Sequence, residues 1–353
     1  MLRVTTSPSD SSGGSLMRPR GVVTDRVHQT SPGRTLMLLV VVGVAGLLLL
    51  NGVALFTFTL MWIYGLFALS TNIMLGWIGR ISFGQGALFG VGAYFVSLSP
   101  EKSWPAPLSV VVAGLLVAAV AVVVSLMTRR STGLSFAILT LVVGQVLFEI
   151  VNLTSSLGGE TGLSGITPGP IGSLNVGASY RTFALYTVVV VGVCVVGLSW
   201  LRSSYLGLSM RGVRDNSRRS SSLGVPVSRI NIIAFSVAGL FAGIAGALYA
   251  QQQSTVNSSL LNWSFSGDVV VMCLVGGMYS FWGPVVGAAL YAWLTTAGFA
   301  ASANSNLYLG IVLLTIVLVV PGGIVGGAEL VRDSLCLRVR FPRRFRPSRG
   351  DAS

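Results

Sequence analysis

Charge is what this chain has least of. Only 9% of its 353 residues are Asp, Glu, Lys or Arg, against 52% apolar residues and a mean hydropathy of +0.79, outside the range of soluble globular domains. Histidine occurs once, at His28 in a polar N-terminal stretch, which argues against histidine-based catalysis and against a histidine metal site. Lysine occurs once as well. Lys102 follows Glu101, whereas a phosphate-binding loop needs Gly before its Lys, so the chain carries no ATP-binding motif of that kind. The three cysteines, Cys194, Cys273 and Cys336, are far apart and read as small apolar filler, neither a disulfide framework nor a metal cluster. No metal site and no cofactor of the chain's own are expected.

What remains is a polytopic membrane protein. Residues 1–34, rich in Ser, Gly, Pro and Arg, read as a disordered cytoplasmic tail, since a cleaved signal peptide would place its apolar region nearer the start. Thr35 to Gly79 contains no charge and is too long for one span, so it breaks near Asn51 and Gly52 into two helices. A glycine-rich turn around Arg80 leads into a third helix ending before Pro100; a fourth covers about 107–127, a fifth 133–151 and a sixth 182–201. Polar breaks at 251–259, 280–284 and 302–306 divide the region after Ile230 into four more. About ten spans result, within a membrane domain of residues 35–331.

Two connectors stand out. Residues 152–181 form a Gly/Ser/Pro-rich loop long enough to fold over a pore mouth. Residues 202–229 hold six arginines against one acid, Asp215, and must stand in water, because each charge costs a few kcal/mol at the bilayer centre. Basic residues mark the cytoplasmic side. With the N-terminus inside, 21 of the 23 basic residues fall inside, and only Lys102 and Arg181 outside. Both termini are therefore expected in the cytoplasm, the second as a basic tail over 332–353. This partition explains the net charge of +13 without nucleic acid as a partner. The C-terminal arginines also suit contact with anionic membrane lipid.

Within the arginine loop, Met210, Val213 and Leu223 are expected to share a helical face with Ser217 and Ser220, the charged residues pointing elsewhere and Gly224 ending the helix before Pro226. An amphipathic helix tied to two spans suits a mechanical link to a soluble partner. The pairs Gly86/Gly90, Gly239/Gly243 and Gly283/Gly287 have the spacing that lets helix backbones approach closely in lipid.

Several segments together carry a family resemblance. TNIMLGWIGRISFGQGALFGVGAYF, LGGETGLSGI, GLSMRGVRDNSRRSSSLGVPVSRINIIAFSVAGLFAGIAGALYA, VMCLVGGMYSFWGPVVGAALYAW and VVPGGIVGG occur in this order over about 55–327. They resemble the inner-membrane permeases of branched-chain amino-acid ABC importers, the LivM type. The resemblance implies an all-α permease in the bacterial plasma membrane, not itself an enzyme, working by alternating access. Its implied partners are two ATPase subunits that bind the ATP, a second permease subunit (sister or identical) and an extracytoplasmic substrate-binding protein. It places Arg211, Arg214, Asp215, Asn216, Leu223 and Gly224 in the element that docks into the ATPase, and Asn72, Ser82, Gly84 and Gln85 beside the translocation path. Where many members have Gly-Glu-Ile in the fifth helix, this chain has Gly144-Gln145-Val146, so Gln145 is a candidate path residue bearing on substrate identity.

Glu149 and Asp268 are intramembrane acids, candidates for the path or for the outer membrane interface. They keep open a proton-coupled secondary transporter that uses a carboxylate as relay. Related permeases carry urea or short amides, and a passive channel is a third class.

Overall fold

The computed structural model describes residues 32–98, 104–159, 161–170, 176–298, 305–319 and 323–325. The expected tails, with His28 and Cys336, lie outside the described residues, as do Glu101 and Lys102, except that residues 32–34 open the first helix, where proline suits the first turn, and so do not belong to the N-terminal tail. The chain is an all-α polytopic membrane protein.

Helices among the described residues lie in the segments read as spans: α1 (Pro32–Leu49), α2 (Gly52–Asn72), α3 (Gln85–Leu98), α4 (Ala106–Met127), α5 (Leu134–Leu153), α6 (Tyr180–Ser203), α9 (Val227–Gln253), α10 (Trp263–Gly276), α11 (Gly283–Trp293) and α12 (Ser305–Val319), ten in all. Between α6 and α9 lie α7 (Tyr205–Asp215) and α8 (Ser217–Ser222). Five of the ten are long and apolar enough to cross a membrane by themselves: α2 with its π-helical extension to Ile78, α4, α5, α6 and α9. At 27 residues, α2 with its extension and α9 each reach about 40 Å.

Helix α9 is the central post, packed against α2, α3, α4 and α6, while α2 also meets α6, α10 and α11. The glycines expected to permit close approach do so. A β-carbon on Gly239 would lie 2.5 Å from Ala121, one on Gly243 2.7 Å from Val117, and one on Gly287 1.9 Å from the Met272 carbonyl oxygen. Gly92 and Gly246, not singled out by spacing, bring the backbones of α3 and α9 into direct contact as well.

Side-chain contacts sort the connectors into two ends. At one end, the Arg80 guanidinium after α2 donates to the Ser131 carbonyl before α5 (3.4 Å), and Arg214 of α7 lies over the Tyr279 ring between α10 and α11. At the other, Arg181 donates to the Asn51 side chain between α1 and α2, and Ser258 Oγ after α9 pairs with Asn152 Oδ1 at the end of α5 (3.4 Å). There too, β1 (Leu163–Ser164) pairs antiparallel with β2 (Thr255–Val256), so the 152–181 loop is fastened over the end of α9, with Ile166 buried beneath it. These ends match the charge partition. In intact cells, an impermeant thiol reagent is expected to label Ser259→Cys and to reach Arg218→Cys only after the membrane is opened; the reverse pattern overturns the orientation.

Candidate functional site

Helix α7 begins on a side-chain cap and ends at the residue that caps α8. The Ser204 hydroxyl accepts from the Gly207 N–H (3.5 Å), and Asn216, in extended conformation, ends α7 and caps α8 by accepting from the Arg219 N–H (2.9 Å). Gly224, at φ +83°, then stops α8 in the left-handed conformation expected of it.

The break at Asn216 corrects the expectation of one helix with one apolar face. Met210, Val213 and Ser220 are buried as expected, but Ser217 and Leu223 are exposed, Leu223 at 76%. A single residue of extended backbone resets the rotation of α8 relative to α7, so the 3.6-residue period does not carry across it. With Tyr205 and Leu208, also exposed, Leu223 supplies apolar surface at an end of the protein that also exposes Asp215, Arg218, Arg219 and Arg229.

The arginines of α7 divide by role. Arg214 turns inward: its guanidinium donates to the Gly76 carbonyl oxygen in the π-helical end of α2 (2.7 Å) and lies 5.3 Å from the centre of the Tyr279 ring. Gly79, at φ +78°, makes room for it, since a β-carbon there would lie 2.8 Å from Arg214 Cγ. Arg211 donates to the Gly207 and Arg202 carbonyls (3.3 and 3.2 Å), closing the α6–α7 joint. Arg202 lies 5.6 Å from the centre of the Phe281 ring. Asp215 is 69% exposed and its 3.2 Å contact with Arg214 is a surface pair of small energetic weight. Thus α7 is fastened to the ends of α2 and α6 and to the α10–α11 turn, while Asn216, Arg218, Arg219 and Leu223 face water.

The expected path residues do not form one lining. Asn72, Ser82, Gly84 and Gln85 are all buried. Asn72 Oδ1 sits against Gly76 at the end of α2, whereas residues 82–85 lie between α5 and α10. Gln145 is half-buried on α5 with its Oε1 unpartnered among the described residues. Glu149, one turn on, is exposed on the same helix, in a row with Val142, Val146, Ile150 and Leu153. Asp268 is half-buried on α10 and accepts a hydrogen bond from the Tyr291 hydroxyl (3.0 Å). Tyr291 packs edge-on against Tyr64, in an aromatic cluster with Phe67, Phe89, Tyr249 and Phe265. Sequence patterning did not single out this cluster; apolar aromatics within spans look like any other core.

Residues 53–321 match the family described as the branched-chain amino acid transport system / permease component. The chain is 26% identical over 279 residues to the high-affinity branched-chain amino acid transport system permease protein LivM of Salmonella typhimurium, covering 72% of this chain and 66% of the relative. Against LivM of Escherichia coli it is 27% identical over 256 residues, covering 66% of this chain and 60% of the relative. The chain thus spans less than two thirds of the length of these two relatives. It is also 22% identical over 286 residues to the permease protein LivH of Salmonella typhimurium, covering 76% of this chain and 92% of the relative. No solved structure matches it.

Proposed function

The chain belongs to the branched-chain amino acid transport system / permease component family, and on that premise we propose that it is a permease subunit of an ATP-binding-cassette importer for branched-chain amino acids in the bacterial plasma membrane. It provides one wall of the translocation path and no ATP chemistry. Two ATPase subunits bind and hydrolyse the nucleotide, a second permease subunit completes the path, and an extracytoplasmic binding protein delivers the solute. The similarity to both LivM and LivH supports a pair of related permeases.

The observation that carries this reading is the fastening of α7 to three inner helix ends. In this reading, an ATPase gripping the water-facing side of α7–α8, with Leu223, Asn216 and the exposed arginines, displaces those ends together. Gly224 and Asn216 act by shaping the element. Arg211, Arg214 and Asp215 lie on its membrane side or edge, where they transmit force and need not touch the partner.

Proteoliposomes holding the permease pair and its ATPases, with the binding protein outside, are expected to accumulate labelled leucine on addition of internal ATP. Collapse of the proton gradient should leave uptake intact, and an ATPase variant unable to hydrolyse ATP should abolish it. Uphill uptake by the permease alone, driven by a proton gradient, overturns the proposal in favour of a carrier built on Asp268 or Glu149. Competition by urea or acetamide and not by leucine would reassign the substrate.

A further inference from the structure

Helix α3 is too short for its place. Its 14 residues rise about 21 Å, whereas the hydrocarbon core is about 30 Å thick. The deficit lies at its first turn, which stands inside the bundle. Gly84 packs on the Thr140 backbone, six residues along α5 from Leu134 and so about 9 Å in. Gly86 packs on Ser266, three residues along α10 from the opposite end. Residues 82–84 are therefore non-helical backbone at membrane depth, tolerated only where protein encloses it or it borders a wet path.

Three hydroxyls meet the peptide groups exposed by this break. Thr140 Oγ1 accepts from the Phe83 N–H (3.3 Å), Ser82 Oγ from the Gly84 N–H (3.3 Å) and Ser266 Oγ from the Gly86 N–H (2.9 Å). One group is left over. Gln85, the first residue of α3, has no exposed surface, and neither its Oε1 nor its Nε2 has a partner among the described residues. An unpaired buried amide is costly, and a leucine there would remove the cost. Its Nε2 donates, as does the first turn of α3, whose dipole favours a negative group. Its Oε1 accepts, which suits an ammonium.

These complementary ends fit an α-amino acid. We propose that Gln85 and the first turn of α3 form an intramembrane subsite for the carboxylate of the transported amino acid, an inference that rests on the import function proposed above. The described conformation has the subsite closed, with Ser266 of α10 against Gly86. The far end of α10 leads into the turn bearing Tyr279, under Arg214, so displacement of α7 pulls on the helix that covers the subsite.

The test compares the wild type with Gln85→Leu and Gln85→Glu in the complete transporter, using labelled leucine at saturating binding protein. Gln85→Leu is expected to cut maximal uptake about tenfold or more, the worth of a charged hydrogen bond. Its thermal midpoint should be unchanged or raised, and ATPase stimulation by the loaded binding protein should stay within about twofold of wild type. Gln85→Glu should lose more uptake, because it sets like charge against the solute. Wild-type uptake in either variant overturns the subsite, the amide then holding only water. A joint fall of uptake, thermal midpoint and ATPase stimulation in Gln85→Leu overturns it in favour of packing. Failure of the wild type itself to import leucine sinks the import reading, and the subsite with it.

Discussion

Arg214→Ala is expected to reduce leucine uptake tenfold or more while ATP hydrolysis by the assembled transporter continues. The guanidinium makes a charge-assisted hydrogen bond to the Gly76 carbonyl and a cation–π contact with Tyr279. A bond of that kind contributes about 1.5–3 kcal/mol, equivalent to roughly ten- to 150-fold in a coupled equilibrium. Assembly should survive, because the surface offered to the ATPase, including Tyr205, Leu208 and Leu223, is on the other side of α7–α8. Arg214→Lys should recover part of the loss, since an ammonium reaches a carbonyl but stacks poorly on a ring. Asp215→Asn should change uptake little. Co-purification of the ATPases with each variant, alongside the ratio of solute imported to ATP hydrolysed, checks these outcomes. Unchanged coupling in Arg214→Ala would remove the tether from the mechanism.

Gly246→Ala should be among the most damaging single methyl groups in the bundle, with Gly276 and Gly287 equally closed in by main chain. A β-carbon on Gly246 would stand 1.9 Å from the Phe89 carbonyl oxygen and 2.8 Å from its carbonyl carbon, and main chain cannot rotate aside as a side chain does. The helices α3 and α9 would have to separate, at a cost on the order of 3 kcal/mol. Because α9 packs against α2, α3, α4 and α6, the shift would spread through the domain. Gly197→Ala on α6 is the control: nothing lies within 4 Å of its added carbon, and alanine favours the helix. Detergent-solubilised protein should show a thermal midpoint several degrees lower for Gly246→Ala and equal or higher for Gly197→Ala. Equal midpoints would mean that the α3–α9 contact is looser than the structure has it.

Much of the architecture was readable from residue order. The apolar stretches, the breaks at 251–259 and 280–284, and the placing of Arg80 and the 202–229 segment at one end and Arg181 at the other reappear in the helices and their contacts. Asp268 and Glu149 stood out in the sequence as lone intramembrane acids, and Gly224 as the stop of a helix. Leu223 lies on the opposite face from the one its spacing implies, because the helical period does not run through Asn216.

Transfer of a side chain between water and lipid is a local free energy, set by that side chain and its near neighbours along the chain, so spans, polarity and capping residues follow from the string of letters alone. The direction in which Arg214 turns, the depth at which α3 begins and the isolation of the Gln85 amide depend on partners far away in the chain. Gly76 stands 138 positions from Arg214, and Ser266 180 from Gly86. Those pairings exist only once the bundle has closed around α9, because it is the packing of whole helices, and no property of either residue, that brings them within bonding distance.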